Sequence, residues 1–149
     1  MNRRNHSLLL VAFLCSASAV LSLPLMYRGQ TVIDIPEPGQ DVALSRLSYK
    51  ANAFEAKFDS VRLEPKGAAG ADPYVANWTF VGSNNDGQMH KVEIWVRLLD
   101  PTGKQVAMFS KKCVLPPGSH DQPCAVEMEI KPEIWKTVKS ARIVADFLS

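Results

Sequence analysis

The feature that most constrains this fold is strict alternation of apolar and polar residues in short runs, each closed by a turn signal. His90 to Leu99 is the clearest run: Val92, Ile94, Val96 and Leu98 point one way, and Glu93, Trp95, Arg97 and Leu99 the other. A period of two places successive side chains on opposite faces of a strand. Asp100-Pro101-Thr102-Gly103 puts Pro and Gly at favoured turn positions, and Gln105 to Lys111 returns as the hairpin partner. Tyr74 to Ser83 is a strand rich in aromatic and β-branched residues, ended by Asn84-Asn85-Asp86-Gly87. Val126, Met128 and Ile130 alternate with Glu127, Glu129 and Lys131, and Ala141, Ile143, Ala145 and Phe147 form the inner face of a last strand.

One run breaks phase. Phe54, Ala56 and Phe58 are apolar on one parity, Val61 and Leu63 on the other. A slip would turn the second half outward, so one extra residue, a bulge, is expected near Asp59-Ser60. Pro132 to Lys136 reads as one helical turn with Pro at its start. Lys66 to Pro73 is a small-residue loop; it lacks the Lys-Ser/Thr ending of a phosphate loop.

About seven short strands at spacings near ten residues, with almost no helix, make an all-β antiparallel, immunoglobulin-like sandwich. A barrel fits the same pattern. The expected core is Phe58, Leu63, Trp78, Phe80, Val92, Ile94, Val96, Val126, Met128, Ile143 and Phe147. The sandwich is expected over 54–149, preceded by an extension over 20–53 in which Thr31 to Ile35 forms a possible edge strand before Pro36 and Pro38. Val42 to Leu47 fits a strand or a helical turn.

Ahead of this lies an export signal. Arg3, Arg4 and His6 precede the apolar run Leu8 to Leu14, and Ala17-Ser18-Ala19 supplies small residues for cleavage after Ala19. Residues 1–19 are thus expected to be a signal peptide. The alternative is an uncleaved transmembrane anchor over 8–26, since the apolar character resumes from Val20 to Met26. Either way the domain lies outside the cytoplasm, periplasmic or secreted. Phe13 and Leu14 before Cys15 are too large for a lipoprotein acylation site. Without Arg3 and Arg4, the 17 basic residues fall to match the 15 acidic ones. A neutral chain has no basic stripe for nucleic acid and no electrostatic pull toward a membrane.

With Cys15 in the signal, Cys113 and Cys124 form an even pair in an oxidising compartment, and a disulfide is expected. Closing this loop contributes roughly 3 kcal/mol in the chain-entropy model. A Cys/His/Met copper site is the competing chemistry, with His120 inside the loop, Met128 just beyond it, and His90 beside Met89. The chain shows no cofactor motif and no recognisable catalytic set. His90 and His120 lack the context of a triad, and Glu127 and Glu129 fit a solvated strand face. Asn77-Trp78-Thr79 matches a glycosylation sequon but lies within a strand. Trp95 shares its face with Glu93 and Arg97; an exposed Trp flanked by charges is a candidate anchor for a protein partner, although it also fits stacking on Arg97.

Three motifs carry a family resemblance. Trp78 to Asn84, with Gly82 and Asn84 closing the strand, Val96 to Asp100 followed by Gly103, and Leu115-Pro116-Pro117-Gly118 together resemble FxLYD-type immunoglobulin-like domains over about Tyr74 to Ile130. Arg97 and Leu98 or Leu99 occupy the aromatic places of that signature. The resemblance implies an extracytoplasmic interaction module without catalytic residues. The expected function is therefore an exported, non-enzymatic binding or structural module. A copper-handling protein is the first alternative and a hydrolytic enzyme the second.

Overall fold

The computed structural model describes residues 25–68 and 70–148. The expected signal peptide over 1–19 lies outside the described residues, as does the anchor segment up to Pro24. Nine strands and one helical turn follow in order: β1 (Leu25–Asp34), β2 (Asp41–Ala43), β3 (Ser48–Ala51), β4 (Phe54–Pro65), β5 (Tyr74–Asn84), β6 (His90–Leu99), β7 (Gln105–Leu115), β8 (Gln122–Ile130), α1 (Pro132–Trp135) and β9 (Ser140–Leu148). The first sheet has the order β1-β9-β6-β7; the second has the order β2-β4-β5-β8, with β3 also on β4. Every pairing is antiparallel. β7 and β8 stay in separate sheets, so the structure is a sandwich and not a closed barrel.

The strand order follows the immunoglobulin Greek key, in which A-B-E faces C′-C-F. β4, β5 and β8 take the first set of places, and β7, β6 and β9 the second. The place beside F, usually filled by the last strand, is taken here by β1. This corrects the expected boundary at residue 54, because β1, β2 and β3 all precede it and all pair within the two sheets. β1 starts earlier than Thr31 because Leu25 and Tyr27 to Gln30 also find partners along β9, and it ends at Asp34, one residue short of Ile35. Leu25 and Met26 are consequently strand residues, although they also ended the 8–26 apolar stretch.

The bulge falls where the phase breaks: the β4–β5 register shifts between Phe58 and Ser60. Asp59 is exposed, whereas Phe58, Val61 and Leu63 are all buried. All eleven expected core residues are buried, none more than 2 % exposed. Leu47, Leu98 and Leu115 are among the further residues of the interior. Leu47 comes from the segment before β3, which packs over Gly29 on the inner side of β1. At Gly29 a Cβ would sit 2.5 Å from the Arg46 carbonyl oxygen, so only glycine allows this approach. The Asp100 carboxylate organises the β6–β7 turn, accepting hydrogen bonds from the Thr102 hydroxyl and from the Thr102 and Lys104 amides. These donors, the hydroxyl first, hold its pKa below the ordinary value.

Cys113 and Cys124 form a disulfide with Cα atoms 6.0 Å apart, inside the range for a bridge. It joins the edge strand of one sheet to the edge strand of the other. Beside it sits Asn84, fully buried at the end of β5. Its side-chain amide donates to the Gln88, Leu115 and Pro116 carbonyls, at 2.7, 3.0 and 3.2 Å. Its Oδ1 accepts from the Asp86 amide at 2.9 Å. Removing one partner of a buried hydrogen bond leaves the other unsatisfied. Asn84→Ala is expected to destabilise the domain by about 2 kcal/mol, measured by denaturant unfolding. A loss within about 0.5 kcal/mol of zero, the range of an ordinary surface change, would show that the network contributes nothing.

Candidate functional site

Trp95 and Arg97 stand near the middle of β6, between β9 and β7, on the outer face of the first sheet. Ladder partners point the same way, so this face can be read in rows. One row runs Val32, Arg142, Arg97, Met108; the next Gln30, Val144, Trp95, Ser110; the third Arg28, Asp146, Glu93, Lys112.

The rows differ in charge. In the third row Arg28 holds Asp146 through two hydrogen bonds, Nε to Oδ1 at 2.6 Å and Nη2 to Oδ2 at 2.8 Å. The hydrogen bond to Asp146, then its charge, raises the Arg28 pKa. With Glu93 and Lys112 beside them, this row is balanced. The first row sets two arginines directly opposite each other, and among the described residues neither Arg97 nor Arg142 has an ion-pair partner. Like charges directly across a ladder are destabilising. Val32 and Met108, at the two ends of that row, are both exposed, at 54 % and 44 %.

The centre of the face is partly closed. Val144 is only 3 % exposed although it points outward, flanked by Trp95 and Gln30. Trp95 itself is half-buried. Trp95 Nε1 and Arg97 Nε are shielded from solvent and have no hydrogen-bond partner, a cost of about 1–3 kcal/mol for each buried polar group.

The other candidate residues are spread over the molecule. His90 is buried at the start of β6, its Nε2 2.9 Å from Asp86 Oδ2, with Tyr49 tilted against the ring at 5.6 Å. Met89 is exposed beside it. Met128 lies in the core, where its sulfur accepts a hydrogen bond from Trp78 Nε1 at 3.4 Å. His120 is exposed in the β7–β8 loop. Among the described residues, no three His, Cys, Asp or Glu side chains gather into a group able to hold a metal. The loop carrying Ser119 closes over the Asp86 turn through Gly118 N to Asp86 O and Asn84 N to Ser119 O. The Ser119 hydroxyl is buried without a partner, so it forms no nucleophile–base bond with His90. Glu127 is exposed on β8 and bonded to Lys66, whose hydrogen bond and charge lower its pKa. Asn77 is half-buried on the central strand β5, between Glu64 and Glu127.

Sequence reasoning singled out Trp95 and Arg97 but missed Arg142. The alternation of β9 showed that Arg142 points outward. Its place opposite Arg97 is a fact of register, which a single strand does not carry.

No family model matches the chain, and no curated protein matches it. Solved structures that align with it include these two. One is a DUF1425 family member from Shewanella sp. pv-4, with 16 % identity over 74 % of this chain and 99 % of that one, at a TM-score of 0.43. The other is the enzymatically active domain of the bacteriophage CBA120 tailspike protein 4, with 15 % identity over 81 % of this chain and 17 % of that one, at a TM-score of 0.26. At these values neither likeness bears on function.

Proposed function

We propose that this chain is an exported, non-enzymatic binding module of the cell envelope or extracellular space, and that the outer face of the β1-β9-β6-β7 sheet meets its partner. The carrying observation is the Arg97–Arg142 pair beside Trp95: two charges without counter-ions next to an aromatic side chain. Trp and Arg dominate the energetics of protein contacts. Export is supported by the N-terminal charge and apolar pattern and by the buried disulfide, a bond that persists in oxidising compartments. The finer reading is an FxLYD-type domain. It is supported by Asn84 and Gly82, two of the quoted motif residues, which have structural work beyond a turn. Asn84 is the polar hub described above, and a Cβ at Gly82 would meet Leu115 and Lys57 at 2.9 Å.

The test is photo-crosslinking in the native compartment, with a photoreactive residue at Met108 on this face and, as control, at Ala125 on the outer face of the other sheet. The expected result is a discrete adduct from position 108, reduced about tenfold or more by Trp95→Ala. Equal adducts from both faces, or none from position 108, would sink the proposal. Stoichiometric copper in the purified protein would overturn it in favour of metal handling.

A further inference from the structure

We infer that the same face carries an oxyanion site, formed by Arg46 and Arg142 with Arg97 alongside, that takes a phosphate- or sulfate-type group. This rests on the reading of the face as the contact surface and names the chemistry it recognises. An open depression of about 590 Å³ lies where the segment before β3 meets β1, lined by Gln30, Thr31, Val32, Arg46 and Arg142. Its polar lining residues carry an amide, a hydroxyl and two guanidinium groups, and none carries a carboxylate. Arg142 faces Arg97 across the ladder, so the positive potential continues from the depression onto the row beside Trp95.

The fold fixes Arg46 there. Arg46 has φ of 65°, the left-handed region that a non-glycine residue rarely occupies. Its carbonyl is seated on Gly29, where no side chain could stand. An unusual backbone held by a dedicated contact points to a functional position. Arg46 comes from a loop and Arg142 from a strand, so their forks reach a ligand from different directions. A tetrahedral oxyanion spreads its oxygens in space and accepts both, whereas a carboxylate offers its lone pairs in one plane. Guanidinium pairing with phosphate oxygens is charge-assisted and bidentate.

The experiment follows the arginine Nε–H signals of the full chain by NMR during titration with inorganic phosphate, sulfate, acetate or chloride at matched ionic strength. The expected result is a saturable shift at Arg46 and Arg142 with phosphate and sulfate. Arg142→Gln and Arg46→Gln should each weaken binding about tenfold or more, since each removes charge-assisted hydrogen bonds to the ligand. Vesicles of phosphatidylglycerol, against phosphatidylcholine, distinguish the sources: competition with phosphate assigns the group to a lipid headgroup, and its absence to a soluble ligand. Chloride or acetate acting as strongly as phosphate, or unchanged binding in Arg142→Gln, would overturn the site. If the adduct from position 108 persists while phosphate is ignored, this inference fails and the contact-face reading stands. Phosphate binding without any adduct gives the reverse.

Discussion

Trp78→Ala is expected to lower the unfolding free energy by about 4 kcal/mol and the melting temperature by roughly 10–20 °C, whereas Trp95→Ala should cost about 1 kcal/mol. The two residues have the same side chain on neighbouring parts of a sandwich, and only the face differs. Trp78 is fully buried near the middle of β5, paired with Leu63 on β4 and Val126 on β8. Truncation loses its transfer free energy and leaves a cavity that β4 and β8, each held to β5 by its ladder, cannot close. It also removes the hydrogen bond to Met128. Trp95 is half-buried with its outer side on water, so its loss leaves no enclosed void. Thermal unfolding of both variants checks the pair. Similar losses would mean that the alternation has been assigned to the wrong faces, because a slip of one residue exchanges them.

That comparison also marks how much of the fold was legible in the sequence. Period-two alternation is local, and β5, β6 as far as Leu98 and β8 carry it without interruption, so their inward residues could be named directly. The β4 phase break was legible for the same reason, since only a bulge keeps both Phe58 and Val61 inside. The N-terminal strand was less so. Leu25 and Met26 extend the apolar stretch of the expected export segment, and hydrophobicity does not distinguish a strand from the end of a span. β2 and β3 are three and four residues long, too short for periodicity to register. Leu47 is buried by a contact with distant β1, which no local window reveals. The candidate face was half legible. Trp95 and Arg97 share a parity on one strand, but Arg142 and Arg46 join them only through the β6–β9 ladder and the seat on Gly29. Asn84 illustrates the same divide: its residue type announced a turn, while its burial depends on the β7–β8 loop.

Removing the disulfide, by Cys113→Ala with Cys124→Ala, is expected to cost about 3 kcal/mol. The two cysteines are 11 residues apart, and opening that short loop releases configurations mainly in the unfolded chain. Chemical denaturation should therefore show a lower midpoint and a slightly larger m-value, as the freed chain exposes more surface. The native strand pairing should persist, because the β5–β8 and β6–β7 ladders hold both cysteine-bearing strands independently of the bridge. The corner has a second fastening in Asn84, which holds the Leu115 and Pro116 carbonyls from β5. The two act on different states: the bridge restricts the unfolded chain, and Asn84 satisfies polar groups in the folded one. Their losses should then add to about 5 kcal/mol in the triple variant, within about 0.5 kcal/mol, as independent effects do. A shortfall beyond that margin would place part of the bridge's effect in the folded corner, with the two fastenings holding the same backbone in place. A disulfide-free variant as stable as the parent would reject the chain-entropy account altogether.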